Sequence, residues 1–258
     1  MERIKQAVKK ARSQRPREAG RLSATPLPEA DLNVKLEYSQ TRVVELQAQQ
    51  LKKNRIFAVN RNDPTSVTFD LLRTQILQKM DENNWRTIAI TSPTPAVGKT
   101  VIAINLAISI VQQTNRTAML VDFDLRQPRI GNYLGIPMEK SLNDLLDGDA
   151  NLSEMLVNPG IPRLVVLPAK NAVSNPSETL SSLKISNLVS EIRDRYESRI
   201  IIFDLPSLLH SDDAIAICPK IDCILMVIAN GMSTKREIED SLSHLSKANL
   251  IGTVFNKA

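Results

Sequence analysis

The segment Thr91-Ser-Pro-Thr-Pro-Ala-Val-Gly-Lys-Thr100 constrains this chain most, because of what stands on either side of it. Arg86-Thr-Ile-Ala-Ile90 before it is a short apolar run bounded by polar residues, which predicts a buried strand. Val101-Ile-Ala-Ile-Asn-Leu-Ala-Ile-Ser-Ile-Val111 after it is too long for a typical strand and apolar at helical spacing. Strand, tight loop, Gly-Lys-Thr and helix is the context that a phosphate-binding loop requires. Backbone N–H groups and the positive end of the helix dipole can face a polyphosphate there. Lys99 adds a mobile cation, and the Thr100 hydroxyl can ligate magnesium. The loop is irregular: in Gly-x-x-x-x-Gly-Lys-Thr the first glycine falls at position 93, where this chain has Pro93. Gly-Lys-Thr alone also fits a polar strand-to-helix turn, so the flanks decide for nucleoside triphosphate binding.

Other segments predict an α/β domain. Strands are expected at 86–91, 117–122, 163–167, 199–204, 222–229 and 250–255, and helices near 99–113, 141–147, 177–195, 211–217 and 234–247. Near-continuous apolar strands separated by helices imply a mostly parallel sheet with helices on both faces. Asp63-Pro64 opens a further helix, with Pro64 suited to its first turn and an apolar face of Val67, Leu71, Ile76 and Met80. The 258 residues divide into a basic arm and Pro-containing linker (1–33), a connecting segment (34–62) and the domain that carries the phosphate loop (63–258). Within the connecting region, Val34–Leu46 fits either extended chain or helix.

Charge is concentrated at one end. Residues 1–23 carry eight Lys or Arg against Glu2 and Glu18, so the whole net charge of +5 belongs to the arm. Ile4, Ala7, Val8 and Ala11 share one helical face there, which suits docking on anionic lipid or simply a solvated tail. Aromatic residues make up only 3% of the chain, which argues against a stacking surface for nucleic acid. Cys218 and Cys223 read as reduced core thiols. No apolar run is as long as a membrane span, and a cytoplasmic protein is expected.

Carboxylates stand just past two predicted strands, in Val121-Asp122-Phe-Asp124-Leu-Arg126 and in Phe203-Asp204-Leu-Pro206. Ligands gather at the carboxyl ends of strands in an open parallel sheet, so these groups can converge with the phosphate loop. A single Asp in such a place also suits a helix cap or a turn.

The order and spacing of these motifs, from about residue 64 onward, resemble the bacterial tyrosine kinases of capsule and exopolysaccharide export. Those proteins are similar in fold to the MinD/ParA group of P-loop ATPases. Asp122-Phe-Asp124-Leu-Arg126-Gln-Pro128-Arg129 is similar to their second acidic motif, and Asp204-Leu-Pro206 to their Asp-Thr/Ser-Pro-Pro. Asp213-Ala, Cys223-Ile-Leu-Met-Val-Ile, Gly231-Met-Ser-Thr and Gly252-Thr-Val-Phe-Asn256-Lys extend the match.

The resemblance implies ATP and magnesium as cofactors. Pro95, Ala96, Val97, Gly98, Lys99, Thr100 and Val101 would hold the nucleotide, and Asn256 matches a position that meets the base or ends a strand. Thr100, Asp122 and Asp204 would be the metal ligands. Lys99, Asp122, Asp124 and Asp204 would be the catalytic set, with Asp122 nearest the acceptor hydroxyl. Arg126 and Arg129 would be charge partners within the acidic motif or contacts to a neighbouring subunit. Expected partners are a membrane-embedded chain-length determinant (polysaccharide co-polymerase) and a second copy, as a homo-oligomer or nucleotide-dependent dimer. The basic arm could add a peripheral membrane contact at the inner face of the plasma membrane.

Four departures qualify the match. Ala96 replaces a usual glycine, at a cost of about 1–2 kcal/mol if its backbone is left-handed. Thr94 stands where MinD-like ATPases have an extra lysine. Where the family has Glu-x-x-Arg-x-x-Arg for assembly this chain has Val67, Asp70 and Arg73, so only the last cation is kept and Asp70 reverses a charge, which predicts weakened or rebuilt self-assembly. No tyrosine cluster closes the sequence, and the tyrosines are Tyr38, Tyr133 and Tyr196, of which Tyr38 is expected to be accessible and the others packed. A kinase-inactive, ATP-gated assembly or positioning protein is therefore the alternative to tyrosine transfer. A DNA-segregation ATPase using the arm is a weaker third.

Overall fold

A computed structural model of the protein describes residues 41–148, 151–195 and 198–257. The basic arm, its linker, Tyr38 and Tyr196 lie outside these residues.

The described residues build one eight-stranded sheet: β1 (Arg42–Val43), β2 (Thr87–Thr91), β3 (Thr117–Asp122), β4 (Val157–Asn158), β5 (Leu164–Leu167), β6 (Arg199–Asp204), β7 (Cys223–Ala229) and β8 (Leu250–Asn256). Their order is β1-β4-β5-β3-β6-β2-β7-β8. From β5 to β8 every neighbouring pair is parallel, while β4 runs antiparallel to β5. Each of the six predicted strands is present. The two extra ones are only two residues long, too short for any periodicity to reveal.

Apolar side chains leave the central strands alternately to two buried clusters, one on each face of the sheet. Ile88, Ile90, Leu120 and Ile202 join the cluster under helices Ser66–Glu82 and Lys99–Gln113. Ala89, Met119, Val121, Ile201 and Phe203 join the one under helices Pro176–Ser181, Leu183–Asp194 and Asp213–Ile217. The fold is thus a doubly covered, mostly parallel sheet, as expected from strands apolar throughout. Helix Lys99–Gln113 is buried nearly all round because it is itself roofed by Ser66–Glu82.

Three local expectations need correction. The segment 177–195 is two helices, because Ser182 leaves the helical backbone and caps the second, accepting from the Ile185 N–H at 3.3 Å. Pro64 stands before the Ser66–Glu82 helix rather than in its first turn; Asp63 ties the turn there through the Thr65 N–H at 2.9 Å. That helix buries Phe69, Ile76, Leu77 and Met80 and leaves Val67 and Leu71 exposed. Residues two apart sit about 200° apart around a helix, so a face through Phe69 excludes both.

Arg73 also turns inward on this helix. Its guanidinium bonds the Asp70 carboxylate at 2.7 Å and the Ser109 hydroxyl at 2.9 Å, and Ser109 Oγ bonds Asp70 Oδ1 at 2.8 Å.

Candidate active site

The parallel arrangement brings the ends of β2, β3 and β6 together. Asp122 and Asp204 end adjacent strands and are register partners. The loop after β2 is sewn to the chain after β6: the Thr91 hydroxyl donates to the Pro206 carbonyl at 2.7 Å, and Leu208 N–H to Ser92 O at 2.8 Å. This fixes the phosphate loop above the two aspartates. Ala96 has φ 60° and Gly98 φ 99°, both left-handed. Ala96 therefore takes the conformation in which alanine is strained. Gly98 suits its left-handed φ, and a Cβ there would stand 2.4 Å from Asn256 Nδ2 and push that side chain aside.

Lys99 and Thr100 begin the helix beneath this loop, and Thr100 Oγ1 donates to Asp204 Oδ2 at 2.6 Å. Asp122 Oδ2 accepts the N–H groups of Arg129 and Ile130 at 3.0 and 2.9 Å, holding the start of the short helix Ile130–Leu134. One oxygen of Asp122 is thus a cap. The other, Oδ1, is buried with no hydrogen-bond partner, as is Oδ1 of Asp204. Both aspartates are essentially inaccessible, at 0% and 1% exposure.

Electrostatics reflect this crowding. Burial, and then the neighbouring Asp204 charge, push the Asp122 carboxyl well above its ordinary value. Burial pushes Asp204 up to about 7, against the opposing pull of Lys99 and the Thr100 hydroxyl. Asp124 is also raised by burial, with Lys99 opposing. Two buried oxygens without partners beside a hydroxyl are a poor resting place for negative charge. They suit a hard cation that takes its other ligands from phosphate and water. No cluster of three or more His, Cys, Asp or Glu able to hold a metal is present among the described residues, so such a cation would need the nucleotide as co-ligand.

Above the aspartates opens a cleft of about 320 Å³ lined by Pro95, Ala96, Gly98, Lys99, Thr100, Val101 and Asp124. A larger depression of about 450 Å³ lies between the Ser66–Glu82 helix and β8, but it is remote from these convergent groups. Asp122, Asp204 and Val97 are buried in the structure around the cleft, and Asn256 bonds the Val97 carbonyl at 2.7 Å. The cleft also has walls that sequence reasoning passed over: Ser207, His210 and Ser211, in the turn just past β6, and Tyr133. Proximity to a strand end could have flagged the first three. Tyr133, expected to be packed, does pack against the core and also reaches the cleft. Arg126 finds its partner outside the acidic motif, gripping buried Asp213 through two bonds of 2.5 and 3.1 Å.

Comparison with known proteins gives a consistent picture. The AAA domain family matches residues 85–242. Putative tyrosine-protein kinase EpsB of Ralstonia nicotianae is 27% identical over 226 residues, 87% of this chain and 29% of its own length. Putative tyrosine-protein kinase CapB of Staphylococcus aureus is 27% identical, over 74% of this chain and 84% of its own. The chain thus spans less than a third of EpsB and most of CapB. Among solved structures, the chimerical protein CapA2B2 superposes with a TM-score of 0.73 at 24% identity, covering 86% of this chain and 96% of that one. The BceF tyrosine kinase domain gives 0.70 at 26% identity, covering 83% and 91%. The septum site-determining protein MinD from Pyrococcus horikoshii, complexed with Mg-ADP, gives 0.56 at 20% identity, covering 66% and 69%. The fold is that of a MinD-type P-loop NTPase. No helix among the described residues is long and apolar enough to cross a membrane.

Proposed function

The chain belongs to the AAA domain family, and from that premise we propose that it is an ATP-dependent protein-tyrosine kinase regulating exopolysaccharide or capsule polymerisation and export. The relatives named as tyrosine kinases motivate the substrate class. The observation that carries the chemistry is the pair of strand-end aspartates, each with a buried oxygen left without a partner, beside Thr100 and below Lys99.

In this reading the loop from Pro95 to Val101 holds the phosphates. Thr100, Asp204 and Asp122 would hold magnesium with the nucleotide, and the ion would neutralise charge on the phosphate oxygens. Lys99 balances the charge that develops on the transferred group. Of the two strand-end carboxylates Asp122 is assigned the place nearer the acceptor hydroxyl, with Asp124 supporting it. A membrane-embedded chain-length determinant and a second copy of the chain are the proposed partners, with the protein working at the inner face of the plasma membrane.

The test is incubation of the full chain with ATP and magnesium, with and without the cytoplasmic segment of the chain-length partner, followed by mass spectrometry for phosphotyrosine. Phosphotyrosine that disappears in Lys99→Ala and Asp122→Ala is the expected result. ATP turnover without phosphotyrosine on any chain would sink the kinase and leave an ATP-gated assembly protein. The inward turn of Arg73 takes a cation from the helix where the resembling family assembles, which favours loss of phosphoryl transfer between copies.

A further inference from the structure

Resting on the nucleotide-binding reading above, we propose that Asn256 and Lys257, at the end of β8, are positioning residues that aim the phosphate loop's amides. Asn256 Nδ2 donates to the Val97 carbonyl at 2.7 Å, and Lys257 Nζ donates to the Ala96 carbonyl at 2.7 Å. Every described peptide bond is trans. In a trans peptide the carbonyl and the following N–H point to opposite sides. Holding the Ala96 and Val97 carbonyls toward β8 therefore turns the N–H groups of Val97 and Gly98 away from it; Gly98 lines the cleft, and Val97 is buried just behind it.

Two further features support the assignment. Left-handed φ at Ala96 and Gly98, with Val97 between them, is the alternation that makes successive amides concave toward an anion. The N–H groups of Val97 and Gly98 have no acceptor among the described residues, whereas the carbonyls on the far side are taken. The brace itself is fixed: Lys257 Nζ also contacts Met232 Sδ at 3.3 Å, and the Met232 carbonyl accepts from the Thr94 hydroxyl at 3.0 Å. Ala96 and Val97 carry no polar side chain with which to hold these peptide planes themselves. Without the brace, either peptide is free to flip and present a carbonyl to the phosphates, where it would repel them.

Titration calorimetry on the full chain tests this with two ligands, MgATP and magnesium tripolyphosphate, the second having no base. Losing one charge-assisted or amide bond to the loop is expected to weaken each ligand about tenfold in Lys257→Met and in Asn256→Ala. Lys257→Arg, which keeps the donor and the charge, is expected to restore binding to near the unaltered Kd. The ligand-free melting temperature is expected to stay close to that of the unaltered chain in Lys257→Met, whose bond is exposed, and to fall only slightly in Asn256→Ala, whose bond is half-buried. Unchanged Kd values in both variants overturn the proposal. Loss of ATP affinity with tripolyphosphate affinity retained assigns Asn256 to the base and overturns it as well. If the unaltered chain binds neither ligand, the nucleotide-binding reading itself falls.

Discussion

Helix Lys99–Gln113 meets carboxylates in two places, one at its start and one about two and a half turns further on, and the two clusters are finished differently. At Ser109 the cluster is closed: Asp70, Arg73 and the serine hydroxyl satisfy one another within 2.9 Å. At Thr100 the cluster is open: Thr100 satisfies one oxygen of Asp204, and the other oxygen, like one of Asp122, is buried with nothing to accept from. Both clusters place carboxylates against the same helix in the same domain. A group meant only to hold the fold can be completed by the fold, as at Ser109. A carboxylate left incomplete in a buried place is costly to the ligand-free protein, and a cation arriving with the nucleotide would complete it.

The sharpest way to break this comparison is Asp204→Asn. It removes the charge proposed to meet magnesium, and MgATP affinity is expected to fall about a hundredfold or more in calorimetry. In the ligand-free protein the same change is expected to raise the melting temperature, since an uncompensated buried charge goes. Its pH signature follows from the raised carboxyl, which titrates near 7 folded against an ordinary 3.8. The folded state then holds a proton that the unfolded chain has released, so this stability is complete below about pH 4 and is lost as pH rises through 7. Thermal melts of the ligand-free chain at pH 5 and pH 8 should differ accordingly, with the difference reduced in Asp204→Asn. A melting temperature lowered by the substitution at pH 8 would mean that the open cluster is structural after all.

The same contrast explains what was legible in the sequence. The groups proposed to meet the nucleotide were legible: Lys99 and Thr100 open the helix after β2, and Asp122, Asp124 and Asp204 stand at or just past the ends of β3 and β6. The long strands from β5 to β7 in the sheet order were equally legible, since a central strand is apolar on both sides, whereas β8 closes the sheet as an edge strand and exposes Phe255. The closed groups were not legible. Arg73 reads from the sequence as a surface cation, and only the roofing of one helix by another directs it to Ser109. Arg126 likewise meets Asp213 across 87 positions, a pairing that no local pattern encodes. The apolar face of Ser66–Glu82 was misjudged for a related reason: Val67 and Leu71 are as hydrophobic as the buried residues, and only the packing direction separates them.

A smaller effect tests the closed cluster. Asp70→Ala leaves the Arg73 guanidinium, whose side chain is 12% exposed, without its carboxylate partner. Partial access to water limits the damage, so a loss of about 1–2 kcal/mol in urea unfolding is expected. MgATP affinity should not change, because the cluster is complete without ligand and stands apart from the phosphate cleft. A change in Kd comparable to that in Asp204→Asn would show that the two ends of the helix are coupled and that the division drawn between them is wrong.

The smallest expected effect concerns Ala96, which belongs to the open side through its backbone rather than its charge. At φ 60° its Cβ crowds the following carbonyl, a strain of about 1–2 kcal/mol that glycine would not carry. Glycine also gives the unfolded chain more freedom, which takes back about 0.4–1 kcal/mol. Ala96→Gly is therefore expected to stabilise the ligand-free protein by only about 0.5–1 kcal/mol, read as a small rise in the urea midpoint at constant m. Its effect on binding separates two roles for the strain. If alanine helps hold the loop in its anion-facing shape, Ala96→Gly weakens MgATP binding although it stabilises the fold. If the brace from Asn256 and Lys257 suffices, stability rises and the Kd stays put, and the strain is simply the local consequence of alanine in a position that glycine fits better.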